Sequence, residues 1–120
     1  MLASGTDGTL PSDTAAMEGG YGLHVEIEAV DGRGDELEAL LLEAAAGVRD
    51  RPDCLLYLVS RAPAPSDTVF VTELWTSKDA HDASLQDERT QGQVARGRPL
   101  IAGFRSQELR PAGGKGPLRS

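Results

Sequence analysis

A single α+β domain of ferredoxin-like type, ordered β-α-β-β-α-β, is predicted by three features of the sequence. A strictly alternating segment opens it, "YGLHVEIEA". A heptad-like apolar stripe follows in "DELEALLLEAAAGVRDRP". Two apolar runs, "CLLYLVSR" and "TVFVTELW", are then joined by a short Pro-rich link. The split β-α-β order closes a four-stranded antiparallel sheet with both helices on one face.

The flanks are set apart by composition. Residues 1–20 and 111–120 are small, polar and glycine-rich, with little to bury, and are expected to be flexible tails. The domain is therefore expected over 21–110. In the first strand, Tyr21, Leu23, Val25, Ile27 and Ala29 share one face, and His24, Glu26 and Glu28 the other. "DGRG" breaks it. In the helix, Leu37, Leu40, Leu41, Ala44, Ala45 and Val48 form one stripe. Asp35 and Glu38 suit a capping box, Arg49 and Arg51 suit the negative C-terminal end, and Pro52 marks the stop.

The two central runs are apolar on both faces. Leu56 and Leu58 oppose Leu55, Tyr57 and Val59; Phe70 and Leu74 oppose Val71 and Trp75. The short link predicts an antiparallel hairpin. Ser77 is a good N-cap for a second helix from Lys78 to about Arg89, with a small inner face of Ala80, Ala83 and Ser84. A looser segment to Pro99 and a last strand, "LIAGFRSQEL", complete the domain. Because helices cover only one sheet face, the apolar second face predicts a homodimer that stacks sheet on sheet.

Composition excludes several classes. The chain has 120 residues and a formal charge of −7, which disfavours nucleic-acid partners. No apolar run is long enough to span a bilayer, and the N-terminus lacks the pattern of a secretory signal. The single cysteine, Cys54, leaves no internal disulfide and points to the cytoplasm, where it reads as a small buried hydrophobe. His24 and His81, the two histidines, stand in no ligand-spaced cluster, so no metal is expected. No Gly-rich phosphate loop follows a strand.

From Phe70 to His81 the sequence reads "FVTELWTSKDAH": an acidic residue (Glu73), tryptophan (Trp75) and a Ser-capped helix containing Ala80. With the element order, this resembles the antibiotic biosynthesis monooxygenase domain over roughly 21–110. The resemblance implies a dimeric α+β barrel. It also implies a monooxygenase-like enzyme that oxidises an aromatic polyketide, anthrone or quinol with molecular oxygen and no cofactor. A non-oxidative cyclase or isomerase, or a non-catalytic small-molecule-binding dimer, uses the same scaffold. Many relatives carry a histidine nine residues after the tryptophan. Here that position is Ser84, and His81 lies one turn earlier. The haem-degrading branch pairs an asparagine with an iron-ligating histidine; this chain has no asparagine, so haem is not expected.

The candidate catalytic bases are His81 and His24, because an imidazole titrates near neutrality. His81 lies among Asp79, Asp82 and Asp87, which equally suits a solvated surface residue; His24 could act with Glu26. Trp75 and Phe70 are candidate walls for an aromatic ligand, Tyr57 a hydrogen-bond donor to it, and Ser84 a contact where relatives have histidine. Unequal filling beneath the two helices, leucines on one and small residues on the other, predicts the cavity near Trp75 and Phe70. Each residue has a plain alternative: Trp75 and Tyr57 as core or interface side chains, His24 as a hydrogen-bonded sheet residue. Glu73 shares a strand face with Trp75 and Val71; a structural pairing is expected for it, with Arg105 as one candidate partner.

Overall fold

A computed structural model of the chain describes residues 19–115. It contains β1 (Tyr21–Ala29), α1 (Gly34–Gly47), β2 (Cys54–Arg61), β3 (Thr68–Trp75), α2 (Lys78–Ser84), α3 (Glu88–Gly97) and β4 (Ile101–Leu109). A 3-10 turn at Arg98–Leu100 leads into β4. The four strands form one antiparallel sheet in the order β2-β3-β1-β4. This is the expected ferredoxin-like sheet, including the β2–β3 hairpin. The tail expected over 1–20 falls almost wholly outside the described residues, as does the end of the C-terminal one.

Alternation sets the two faces of the sheet. Val69, Val71, Glu73 and Trp75 of β3 are buried under the helices, while Thr68, Phe70, Thr72 and Leu74 point the other way. Register carries the pattern across the strands: Leu23 of β1 and Tyr57 of β2 both lie opposite Glu73, and Tyr21 opposite Trp75. The core is Ile27, Ala29, Leu37, Val69, Val71 and Leu100, with Leu40, Leu41 and Val59 packed around it. Each fully buried Val, Leu or Ile among them contributes about 1.5–3 kcal/mol through burial.

Three details differ from the sequence-based expectation. Asp35 and Glu38 do not form a capping box. No side chain of the flanking residues caps α1; Asp67, from the β2–β3 loop, accepts the Gly32 and Gly34 amides at 2.8 and 3.1 Å. Asp35 and Glu38 instead both bind Arg61, each at 3.0 Å. Helix α1 ends at Gly47, short of Pro52, in a tight turn where the Val48 amide bonds back to Ala45.

The region expected as one helix and a looser segment is two helices. Helix α2 stops at Ser84, and the chain turns through an extended Asp87, the N-cap of α3. Helix α3 is nearly devoid of large apolar residues, which explains why its period is faint in the sequence. It is tethered by side chains instead: Gln93 and Arg96 to Glu43, and Arg89 to the Gly47 carbonyl.

Candidate active site

Four of the candidate residues come together at the Trp75 end of β3. Ser77 has the extended backbone of an N-cap, and its hydroxyl accepts the Ala80 amide at 3.0 Å. That start fixes the phase of α2, so that His81 and Ser84, three apart, face inward and are buried. The expected inner face of alanines is thus corrected: Ala83 is exposed, and the imidazole is the group α2 presents to the sheet. His81 is not a solvated surface residue; it is 9% exposed.

Between the sheet, α1 and α3 lies a mostly apolar cavity of about 510 Å³. Tyr57, Glu73, Trp75, His81 and Ser84 line it, with leucines of α1 on the opposite wall. Helix α3 contributes Thr90, Gln93 and Val94 to its roof, and Phe104 of β4, 64% exposed, stands at the open side. A more polar hollow of about 670 Å³ lies at the other end of the sheet, around Arg61 and Asp67. Its arginine is engaged within the fold: Arg61 binds Asp35, Glu38 and the Ser66 carbonyl.

Its polar core is compact. The Trp75 indole N–H donates to Glu73 Oε1 at 2.8 Å. His81 Nε2 stands 4.0 Å from the same oxygen, and His81 Nδ1 is 3.0 Å from Asp82 Oδ1. The imidazole packs edge-on to Trp75, with centroids 5.6 Å apart, and tilted against Tyr21 at 5.1 Å. Arg51 lies over the far side of the indole at 5.7 Å, held by Asp53 and Asp87. Ser84 donates its hydroxyl hydrogen to the His81 carbonyl at 2.6 Å, leaving the oxygen free to accept.

Electrostatics follow from burial. Desolvation pushes the Glu73 carboxyl above its usual range, opposed by the Trp75 hydrogen bond and the nearby imidazole. Burial likewise pushes the Tyr57 phenol up, helped by the Glu73 charge. Glu73 and His81 are thus two buried ionisable groups 4.0 Å apart, within Coulombic range of each other and beyond hydrogen-bond distance. Burial also pushes the Cys54 thiol up to about 11, so it is no nucleophile. Among the described residues, no group of three His, Cys, Asp or Glu side chains is placed to hold a metal ion.

The structure separates the six expected site residues into two sets. His81, Trp75, Tyr57 and Ser84 line the one cavity. Phe70 and His24 lie on the opposite face of the sheet, stacked on each other at 5.8 Å, with His24 Nδ1 3.0 Å from Thr72 Oγ1. Phe70 therefore does not share a pocket wall with Trp75, because residues of odd separation on a strand point to opposite faces. The pairing of His24 with Glu26 also does not form: Glu26 binds Arg105 at 3.2 Å. For the same reason Arg105 is not the partner of Glu73, whose neighbours are Trp75 and His81. The sequence places Glu73 on one strand face with Trp75, the signal for their contact, and sets Asp82 beside His81; which of the neighbouring carboxylates meets the imidazole is decided by the structure.

The comparisons agree with this architecture. The model of the antibiotic biosynthesis monooxygenase family matches residues 20–95. A Chloroflexus aurantiacus protein classed with these monooxygenases is 40% identical, covering 81% of this chain and 97% of its own, with a TM-score of 0.72. A Caulobacter crescentus protein of the same class is 23% identical, covering 84% and 97%, with a TM-score of 0.72. SnoaB, a cofactor-independent oxygenase from Streptomyces nogalater, is 15% identical over 76% and 91%, with a TM-score of 0.67. The last two show a common fold alone. Among curated proteins, none matches the chain. With the family model spanning most of the domain and the Chloroflexus protein matching nearly end to end, the chain belongs to the antibiotic biosynthesis monooxygenase family.

Proposed function

We propose that the protein is a cofactor-independent monooxygenase-like enzyme acting on an aromatic anthrone, phenol or quinol. The observation that carries this reading is the buried Glu73–His81 pair beside Trp75 at the polar end of an apolar cavity of about 510 Å³. A planar ring fits such walls, and Trp75 offers it an aromatic surface. His81 takes a proton from the ring hydroxyl or the activated methylene, with Glu73 sharing it. Tyr57 and Ser84 are placed to contact a ring oxygen.

The resulting carbanion or phenolate is electron-rich enough to pass an electron to oxygen. For an anthrone the balance closes without a further reductant: the methylene and one O2 become a ring carbonyl and water. The name of SnoaB, a cofactor-independent oxygenase on the same fold, supports the absence of a cofactor. A homodimer through the outer sheet face, where Leu58 is 50% exposed, completes the reading.

The same acid–base pair favours a second reading, a cyclase or isomerase that moves protons without oxygen. Oxygen uptake on metal-free enzyme with a panel of anthrones and hydroquinones decides between them. Enzyme-dependent consumption, lost in His81→Gln, supports the monooxygenase. Product formed under strict anaerobiosis establishes the second. Absence of both, together with unquenched Trp75 fluorescence, removes either.

A further inference from the structure

The imidazole of His81 lies between two carboxylates of unlike surroundings. Glu73, on β3, is buried and 4.0 Å from Nε2; Asp82, on α2 itself, is half-exposed and 3.0 Å from Nδ1. The second Asp82 oxygen binds Lys78 Nζ at 3.0 Å, so the carboxylate is held from both sides. Hydrogen bonding from His81, then from Lys78, keeps the Asp82 carboxyl below its usual range, and it is ionised at neutral pH. An ionised carboxylate can only accept, so the nitrogen facing it carries the hydrogen.

Among the described residues, nothing else competes for that nitrogen. The Tyr21 hydroxyl is turned away and donates to Glu108 at 2.8 Å, and the Trp75 N–H is given to Glu73. Ser84 bonds the His81 carbonyl, not its ring. The choice of tautomer is therefore a contest between Asp82 and Glu73 for one imidazole hydrogen. Were Glu73 to win, the hydrogen would sit on Nε2, and the cavity would face a donor instead of a base.

We propose that Asp82 is a positioning residue: it holds His81 as the Nδ1–H tautomer, so that the Nε2 lone pair faces Glu73 and the cavity. The inference rests on His81 as the base. The logic is that of a carboxylate fixing the tautomer of a catalytic histidine; where a carboxylate does this for a metal-ligating histidine, its loss costs about 10- to 100-fold. Here the orienting carboxylate is the next residue in the helix.

Nitrogen-15 NMR on the neutral imidazole reads the tautomer without substrate. A His24→Gln background leaves one histidine signal. Nδ1–H is expected to dominate in that background and Nε2–H to dominate when Asp82→Ala is added. Oxygen uptake with a hydroxylated anthrone should then fall about 10- to 100-fold in kcat with KM within about twofold. Asp82→Glu should restore part of both. Lys78→Ala, which removes the helical ion pair and the cation over the Tyr21 ring and leaves the Asp82 carboxylate in place, should leave the tautomer unchanged and so separates loss of helix stability from loss of orientation.

An unchanged Nδ1–H signal in Asp82→Ala overturns the proposal, as does a reversed tautomer with kcat within twofold of wild type. If no aromatic is turned over by the wild-type enzyme, the oxygenase reading fails, and the tautomer measurement still decides what Asp82 does.

Discussion

Glu73 is a carboxyl buried on the helix-covered face of the sheet. Its folded-state carboxyl titrates above the usual range because it is desolvated. The folded state therefore binds its proton more tightly than the unfolded chain does. This favours folding fully below the ordinary carboxylate range, near ~4.3, and the benefit is lost as pH rises through the folded value. At neutral pH the buried charge is thus a net cost. Glu73→Gln should melt at a higher temperature than wild type at pH 7, with the gap closing towards pH 4, while losing activity. Thermal melts across that range check the sign; a lower melting temperature at pH 7 would show that the ionised carboxylate is net stabilised by His81 and Trp75. Asp82 has the opposite sign: its lowered pKa supports folding above the ordinary carboxylate range and the support fades as pH falls. At the same scale, Leu37, on the inner face of α1 and 1% exposed, should cost about 2–5 kcal/mol on truncation to alanine, read by denaturant unfolding.

At the scale of elements, two helix starts make contrasting predictions. Helix α2 has seven residues and relies on Ser77 for its cap. Ser77→Ala should cost about 1 kcal/mol and lower turnover as well, because the same cap sets the phase that aims His81 and Ser84 inward. Helix α1 is capped from a distance. Asp67→Ala should cost about 1–2 kcal/mol, since it frees two backbone amides. Asp35→Ala should stay within about 0.5 kcal/mol, because that carboxylate is 99% exposed. Urea titrations of the two variants test the contrast. The α1 stripe was legible because Leu37, Leu40 and Leu41 recur at helical spacing against a core. The cap was not, because its donor and acceptor come from segments more than thirty residues apart. Helix α3 was illegible for another reason: only Val94 marks an apolar side, and its anchors are long-range polar contacts to Glu43.

At the scale of the molecule, the two sheet faces have different fates. One is covered by helices and holds the cavity. The other carries Leu56, Leu58, Phe70, Leu74 and His24, with Leu58 half exposed in the single chain. Light scattering should give twice the 12.7 kDa chain mass, and Leu58→Glu should weaken the dimer by at least ~10-fold in Kd. A monomeric wild-type protein would remove the homodimer from the reading.

The sequence by itself determined the order of the strands and of α1 and α2, the two faces of each strand and the family motif. These depend on local periodicity: alternation in β1 and β3, the leucine stripe of α1, the serine before α2. Only the tertiary structure decided which polar groups meet. Register places Arg105 opposite Glu26 and leaves Glu73 to Trp75 and His81, while the break after Ser84 lets α3 roof the cavity. A charge pair or a pocket wall depends on which side chains converge across separate segments, and neither pattern nor propensity encodes that distance.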